Sequence, residues 1–527
     1  MPTSWTIAID WDRNGDYSSA QDDVTNRVMS AKWSLGFDEL YTDLADNTLL
    51  RLTLDNTDRL FSPENASSPL FGKLVPQRPV RVQSDDGATV RTHWVGWLDS
   101  IQPGVGRYGA RTVELVAVGA MQFLKATETA LPLQRDKRTD EVIADLIKEV
   151  VMPPALNRAW VLGRTGGSEL SASTYLATTA AYSDLEPGVL HLGIAADNWV
   201  RQGGYTDVVQ DSFDVYRAIG DVTAAERGRF FFDREGKAVF WNRHHLLQGA
   251  TPLAAFDDSM TGLTYSYAGL DALKNEVTVI AHPRTISASA DDVLWKLDEA
   301  VITVEASKPR TVYVKYDDEA NKRVGAEEVT VNNVTFEQGT AAVTVKANAN
   351  GAELTFTAAG GQDAVVKTCE VRGRKIVDSG QMEAKSASAQ SIMDYGRRAL
   401  RLNLPSVDTL DEAAAIAGHE QRKRSQPRGL VQTVTLASHG KQGGAQHDEQ
   451  LARTLGDLIT VKETQTGHEG QYHVIGEAHE LSAGATLWKT TWYLEPAEAI
   501  YATPSGYPWK LGVSGRSNLS SSAALTY

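Results

Sequence analysis

Residues Asp55-Asn56-Thr57-Asp58-Arg59-Leu60-Phe61-Ser62-Pro63-Glu64-Asn65, then Ser68-Pro69-Leu70-Phe71-Gly72-Lys73-Leu74, interrupt a strand-like run from Leu49 to Leu54. Asn, Asp and Ser fold the backbone through local side-chain hydrogen bonds and Pro fixes φ, so the stretch predicts a long ordered loop after a strand. Around it, apolar runs at Trp5 to Ile9, Ala31 to Gly36, Val80 to Gln83, Thr92 to Asp99 and Thr112 to Val118 are divided by turns such as Ser84-Asp85-Asp86-Gly87. That spacing predicts an antiparallel all-β unit over residues 1–130.

The chain of 527 residues exceeds what one hydrophobic core serves, which predicts about three or four domains. Its 42% hydrophobic, 8% aromatic and 23% charged content is that of a globular protein. No apolar run nears the ~18 residues of a membrane span, so no membrane insertion is expected. Met1-Pro2-Thr3-Ser4-Trp5 has neither the basic nor the apolar region of a secretory signal, so synthesis in a cytoplasm is expected. The single Cys369 excludes an intrachain disulfide and a Cys-based zinc site. A net charge of -15 argues against nucleic-acid binding, which needs clustered Lys and Arg. A negative wall around a channel would instead let DNA pass without sticking.

Residues 131–261 change character to α+β. Thr139-Asp140-Glu141 opens a series at Val142, Ile143, Leu146, Ile147 and Val150, stopped at Pro153-Pro154, which predicts a helix capped by Thr139. Residues from about 155 to 210 show low periodicity, Ser212 to Ile219 predicts a second helix, and Arg229 to Trp241 reads as an aromatic hairpin around Gly236. Over 297–364 the period is two again, rich in Thr and Val, with a tight turn at Asn348-Ala349-Asn350-Gly351; this predicts an inserted β-sandwich. The flanking strands Glu276 to Ala281 and Cys369 to Arg374 are expected to pair, which makes 262–296 and 365–498 a second β domain. It carries a third helix from about Leu410 to Arg424, ending before Pro427. Residues 499–527 read as a Ser- and Gly-rich extended arm, with Trp509, Leu511, Leu519 and Leu525 as spaced apolar anchors.

Six pieces carry a resemblance: Asp10-Trp11-Asp12-Arg13-Asn14-Gly15-Asp16, the 56–74 loop, Gly96-Trp97-Leu98, Tyr395-Gly396-Arg397-Arg398, Leu455-Gly456-Asp457-Leu458-Ile459-Thr460-Val461 and Trp492-Tyr493-Leu494-Glu495-Pro496. In this order they resemble the tail-tip hub proteins, or minor tail proteins, of long-tailed bacteriophages, which are related to the contractile-phage baseplate hub. The resemblance implies a mainly β fold with an α+β middle domain, two tail-tube-like antiparallel β-barrel domains and an inserted β-sandwich. It implies a non-catalytic structural protein of the virion, sited at the phage tail tip. There a homotrimer with six tube-like domains adapts the sixfold tail tube to the threefold tip around the DNA ejection channel. The implied partners are its own copies, a tail-tube or distal tail ring, fibre or tip proteins and the tape-measure protein. No repeat between the two β regions is visible in the sequence.

Candidate chemistry is sparse. Asp10, Asp12, Asn14, Asp16 and Ser18 follow calcium-loop spacing with Gly15 at the sixth place, but Gln21 stands where a bidentate Glu is needed. The loop reads as a calcium site or as a metal-free Asx-rich turn; no other cofactor is expected. His244-His245, His191, His282, His439, His447 and His468 lack metal-ligand spacing, and Asp257-Asp258, Asp291-Asp292 and Asp317-Asp318 sit in polar turns. There is no phosphate-binding loop or nucleophile elbow; Gly512-Val513-Ser514-Gly515 lacks the strand-to-helix setting. The alternative function is a carbohydrate-binding or cell-wall-degrading tail-tip protein. Its sugar module would be the sandwich, whose aromatics are Tyr313, Tyr316, Phe336 and Phe356; three of these fall in strand-like runs and are expected to point inward.

Overall fold

Strand Leu49–Asp55 runs into the 56–74 loop, and the polar side chains of that loop close its turns. Asn56 Oδ1 accepts from Phe61 N at 2.9 Å, Asn56 Nδ2 donates to Ser62 Oγ at 3.2 Å, and Ser68 Oγ donates to Leu60 O at 2.7 Å. With its backbone satisfied locally, the loop buries Phe61, Leu70 and Leu74 in the core under the first sheet. A computed structural model describes residues 3–105, 111–129, 131–148, 150–152, 164–165, 183–194, 213–247, 507–508 and 523–524, together with 251–497 apart from 259, 268, 271, 298–299, 307, 319–322 and 441. The fold is mainly β, with 48% strand and 15% helix. Among the described residues no helix is long and apolar enough to cross a membrane.

Two arcs of six strands share one twelve-stranded sheet. In chain order the first arc is Ser4–Ile9, Val28–Gly36, Leu49–Asp55, Pro79–Asp85, Val90–Pro103 and Thr112–Val118. The second is Ala254–Phe256, Gly262–Tyr267, Gly429–His439, Leu458–Glu463, His468–Ser482 and Leu487–Pro496. Counted along the chain, the order across the sheet is first, fourth, fifth, sixth, third, second in both arcs. The fifth strand bulges at the same place in each, where its ladder to the sixth skips after Leu98 and after Val474. One difference is that the first strand lies antiparallel to the fourth in one arc and parallel in the other. The repeat that the sequence conceals is therefore one of topology.

The arcs meet where the second strand of the first, Val28–Gly36, pairs antiparallel with the fifth strand of the second, from Ala31↔Leu481 to Gly36↔Gly476. The strand His468–Ser482 is shared along its length: 468–473 pairs with Leu458–Glu463, and 476–481 with Val28–Gly36.

The α+β region sits against this joint. Helices Met121–Ala126, Thr139–Lys148 and Val215–Glu226 and the hairpin Arg229–Phe232/Ala238–Trp241 share one core with Phe37, Trp97 and Ile475 of the arcs. Thr139 is the first helical residue and donates to Glu226 Oε2 at 3.1 Å, while the helix stops at Lys148, before the two prolines. The second helix starts at Val215 because Asp214 caps it, accepting from Arg217 N at 2.7 Å. Most of the 155–210 stretch and of the 499–527 arm lies outside the described residues.

Two pairings differ from those expected. Glu276–Ala281 pairs with Met382–Ala387 and Ala399–Asn403, and this small sheet packs under helix Leu410–Arg424 in the core of the α+β region rather than joining the second arc. Cys369 to Arg374 belong to the long strand Ala364–Asp378, the centre of a five-stranded sheet with Arg284–Ile286, Asp292–Lys296, Ile302–Val304 and Ala326–Gln338. A three-stranded sheet, Arg310–Lys315, Gly351–Ala358 and Ala341–Ala347, closes the sandwich over a separate core. The sandwich thus takes in residues on both sides of the expected 297–364. Alternation tells which face of a strand is buried, not which strand lies beside it.

At the joint, a Cβ on Gly476 would stand 2.0 Å from Phe37 O. Gly476→Ala must part the two strands and is expected to cost about 1–3 kcal/mol or more. The readout is the first thermal unfolding midpoint by calorimetry, which should fall; an unchanged midpoint would mean that the joint yields freely.

Candidate functional site: the joint between the arcs

Both arcs and the α+β region send side chains to the joint. Phe37 N donates to Ile475 O at 3.0 Å, which continues the shared ladder past Gly36, itself at φ +75. Next to it Glu477 is fully buried, and Arg234, on the turn of the aromatic hairpin, grips it with two bonds, Nε to Oε1 at 2.6 Å and Nη2 to Oε2 at 2.5 Å. The same Nη2 donates to Arg453 O at 2.8 Å. Burial by itself would raise the pKa of Glu477, but Arg234 and His479 outweigh it and hold the carboxyl well below its usual range.

His479 lies inside a stack of aromatic rings drawn from both arcs. Its ring is 4.9 Å from Trp33 at 22° and 5.8 Å from Trp488 at 25°, and Trp5 meets Trp488 edge-on at 4.9 Å. Trp488 Nε1 donates to His479 Nδ1 at 3.2 Å, so Nδ1 is the acceptor and Nε2 carries the proton, facing Glu477 Oε1 at 3.5 Å. His93 belongs to the same cluster, 4.8 Å from Trp5, with Nε2 2.7 Å from Ser84 Oγ. Burial lowers the pKa of His479 and puts that of His93 well below 6.5.

A second set of charges clasps the loop between the second and third strands. Tyr41 N donates to Glu495 Oε2 at 3.1 Å, and the Tyr41 ring is covered by Lys423 at 4.5 Å and Arg424 at 4.1 Å. Glu495 is buried and also pairs with Arg229 at 2.5 Å and Lys423 at 3.3 Å. Arg227 bridges Asp43 at 2.6 Å and Glu420 at 2.8 Å. Burial opposes ionisation of Glu420, but Arg227, Arg424 and Lys423 win and bring its pKa to about 2. These are fixed, paired charges on four chain segments, an arrangement suited to holding parts rigid.

The residues singled out from the sequence lie elsewhere. Asp10 is buried and its carboxylate accepts from Asn14 N at 3.2 Å and Gly15 N at 2.7 Å. Asn14 Oδ1 accepts from Asp16 N at 2.8 Å, Asp16 accepts from Ser18 N and Oγ, and Asp12 pairs with Lys73 of the 56–74 loop at 2.6 Å. The five side chains share one loop, in which each of the four Asx residues has a protein partner. Among the described residues no three of His, Cys, Asp and Glu gather as a metal centre requires. His447 bridges Thr3 and Ser438, and His282 faces Asn403. In the sandwich Tyr316 and Phe356 are buried and Phe336 packs partly against the core, which leaves Tyr313 exposed.

Arg234, Glu477, His479, Arg229 and Glu420 were not singled out from the sequence, and Glu495 entered only as part of a family motif. Their signal was weak: an acid inside an apolar strand run, as in Val474-Ile475-Gly476-Glu477, and an Arg beside the aromatic run Phe230-Phe231-Phe232.

No protein-family model matches the chain, and no curated protein sequence matches it. Its structural neighbours include tail proteins, among them prophage tail proteins. The tail protein from Neisseria meningitidis MC58 aligns over 93% of this chain and 97% of its own, with 9% identity and a TM-score of 0.46. The 43 kDa tail protein of prophage MuSo2 from Shewanella oneidensis aligns over 94% of this chain and all of its own, again with 9% identity and a TM-score of 0.46. An E. coli type VI secretion component, described as similar to the T4 tail proteins gp27 and gp5, aligns over 90% of this chain and 74% of its own, with 8% identity and a TM-score of 0.33. No residue role is carried over from them.

Two outcomes are expected. Histidines kept neutral by burial bind protons more readily when unfolded, so their contribution is complete above about pH 6.5 and is lost as pH falls towards their folded values, near 4 for His419. The melting temperature should therefore fall between pH 7 and pH 5; a flat or rising profile would show these histidines to be charged in the fold. Because its Asx side chains already have partners, the 10–18 loop should keep its shape without a cation. The melting temperature should be the same in EDTA and in millimolar calcium, whereas a calcium-dependent rise would reassign the loop as a metal site.

Proposed function

We propose that this chain is a non-catalytic structural protein of a phage tail, and that three copies form the hub ring at its distal end. What carries the reading is the strand order that occurs twice within one continuous sheet. Two units of one topology, locked by a ladder and by buried charge pairs, form a rigid double module. Three such chains offer six similar units to a sixfold tube above. What occurs once per chain, the α+β region and the sandwich, then falls on a threefold pattern below.

The connection of the sandwich to the rest of the chain supports an outer role for it. The ladder from Glu276–Ala281 to Met382–Ala387 continues past Pro283 into Arg284–Ile286 against Asp378, Val377 and Ile376, a two-stranded neck leading from the central core to the sandwich. Fibre or tip proteins would bind on that side and the tail-tube or distal tail ring on the other, with the tape-measure protein ending at the channel. The net charge of -15 suits a channel that DNA must leave. In this reading the chain is assembled in the host cytoplasm and its mature place is the tail tip. A sugar-binding role for the sandwich is less favoured, since of its described aromatics Trp295, Tyr313, Tyr316, Phe336 and Phe356, Tyr313 alone is well exposed.

Light scattering on the purified protein over a range of concentrations tests the ring. The expected mass is three times the 57.3 kDa of one chain. A monomer that persists at high concentration would count against the hub.

A further inference from the structure

The internal joint uses one face of each arc, and the chain carries a second, unused copy of both faces. The joint pairs the second strand of the first arc with the C-terminal half of the fifth strand of the second arc. The counterparts are the second strand of the second arc, Gly262–Tyr267, and the C-terminal end of the fifth strand of the first, 100–103. Gly262–Tyr267 ends the twelve-stranded sheet; among the described residues it pairs with Gly429–His439 on one side and with no strand on the other. Val90–Pro103 pairs with Pro79–Asp85 only as far as Trp97, Leu98 bonds through both backbone groups to Gln77 and Arg78, and residues 100–103 pair only with the sixth strand. An open strand edge invites pairing with another chain.

Superposing the registers of the two arcs makes the counterparts specific. Ser30 and Gly262 both lie opposite the matching residue of the third strand, Thr53 and Thr435, which sets Ala31 against Leu263; the third strand of the second arc bulges beside Tyr265, and counting on along the second strand itself sets Trp33 against Tyr265 and Leu35 against Tyr267. The shared bulge sets Leu98 against Val474, hence Ile101 against Glu477 and Gln102 against Ala478. Burial follows. Leu35, covered at the joint, is 5% exposed, whereas Tyr267 in the same phase is 68% exposed. Ile475, Glu477 and His479 are buried, whereas Asp99 is exposed and Ile101 and Pro103 are partly so.

We infer that the joint is repeated between chains: Tyr265–Tyr267 of one copy pairs antiparallel with residues 101–103 of the next, with Tyr267 opposite Ile101 and Ser266 opposite Gln102. This rests on the ring reading above and supplies its contact. Three internal joints and three between copies then alternate around a closed ring, in which neither kind of edge is left open. Pro103 has no N–H, so the ladder between copies is one donor short of the internal one.

Because Phe37 N bonds to Ile475 O, the hydrogen-bonded pairs in the internal joint are Leu35–Glu477 and Trp33–His479, and Ser34–Ala478 is a close pair between them. Such pairs have Cα atoms about 4.5 Å apart, within reach of a disulfide. The native Cys369 is buried and stays out of the reaction. The full-length double variant S34C/A478C, mildly oxidised, should close a link within one chain, the internal control. S266C/Q102C should give covalent dimers and closed trimers on a non-reducing gel, reversed by reductant, while S266C and Q102C singly give neither. Y267K, a change at an exposed position, should lower the mass in solution from trimer to monomer. A trimer by light scattering that neither cross-links through 266 and 102 nor responds to Y267K would overturn this contact and leave the ring standing. A monomer by light scattering, with the internal control closing normally, would overturn the ring and the contact together.

Discussion

The ladder between Val28–Gly36 and the C-terminal half of His468–Ser482 is the constraint on which the rest of the molecule depends. It links residues more than four hundred positions apart and forms only when both arcs are present, so it is slow to close in entropy terms and must be held by more than its own hydrogen bonds. Three things hold it: the stack of Trp33, His479 and Trp488, the two-bond grip of Arg234 on Glu477, and close backbone approach where Gly476 passes Phe37.

The buried charges share a logic. Each acid at the centre of the molecule, Glu420, Glu477 or Glu495, is met by cations from other regions of the chain. Removing one partner would leave the other charge buried and unpaired, so these contacts penalise any altered arrangement of the regions more than they stabilise the native one. A part that must hold a fixed angle between two sheet units under load gains from such all-or-none contacts. A mobile enzyme lid would not.

Much of the local structure was legible. The turn residues of the 56–74 loop bond as their chemistry predicts, Thr112–Val118 forms the strand read from alternation, and helix Leu410–Arg424 has the bounds expected, its start capped in the fold by Thr409. The short helices Met121–Ala126, Ala389–Tyr395 and Ala445–Ala452 were not read, because two turns give too few repeats of the period to stand out. The neighbours of Glu276–Ala281 were misread because either flanking strand offered a suitable apolar face.

What the sequence determined by itself is the material and its local shape: strands with one apolar face, polar turns, the places of three helices, an acidic chain with a single cysteine. Tertiary structure alone decided that two stretches with no visible likeness, 4–118 and 254–267 with 429–496, take the same strand order and merge into one sheet. The reason is physical. A strand position demands only a burial phase, so Trp33 and Tyr265, or Leu52 and Val434, meet the same demand with different side chains. Which strand lies beside which is set by packing across the whole chain, and no local pattern encodes it.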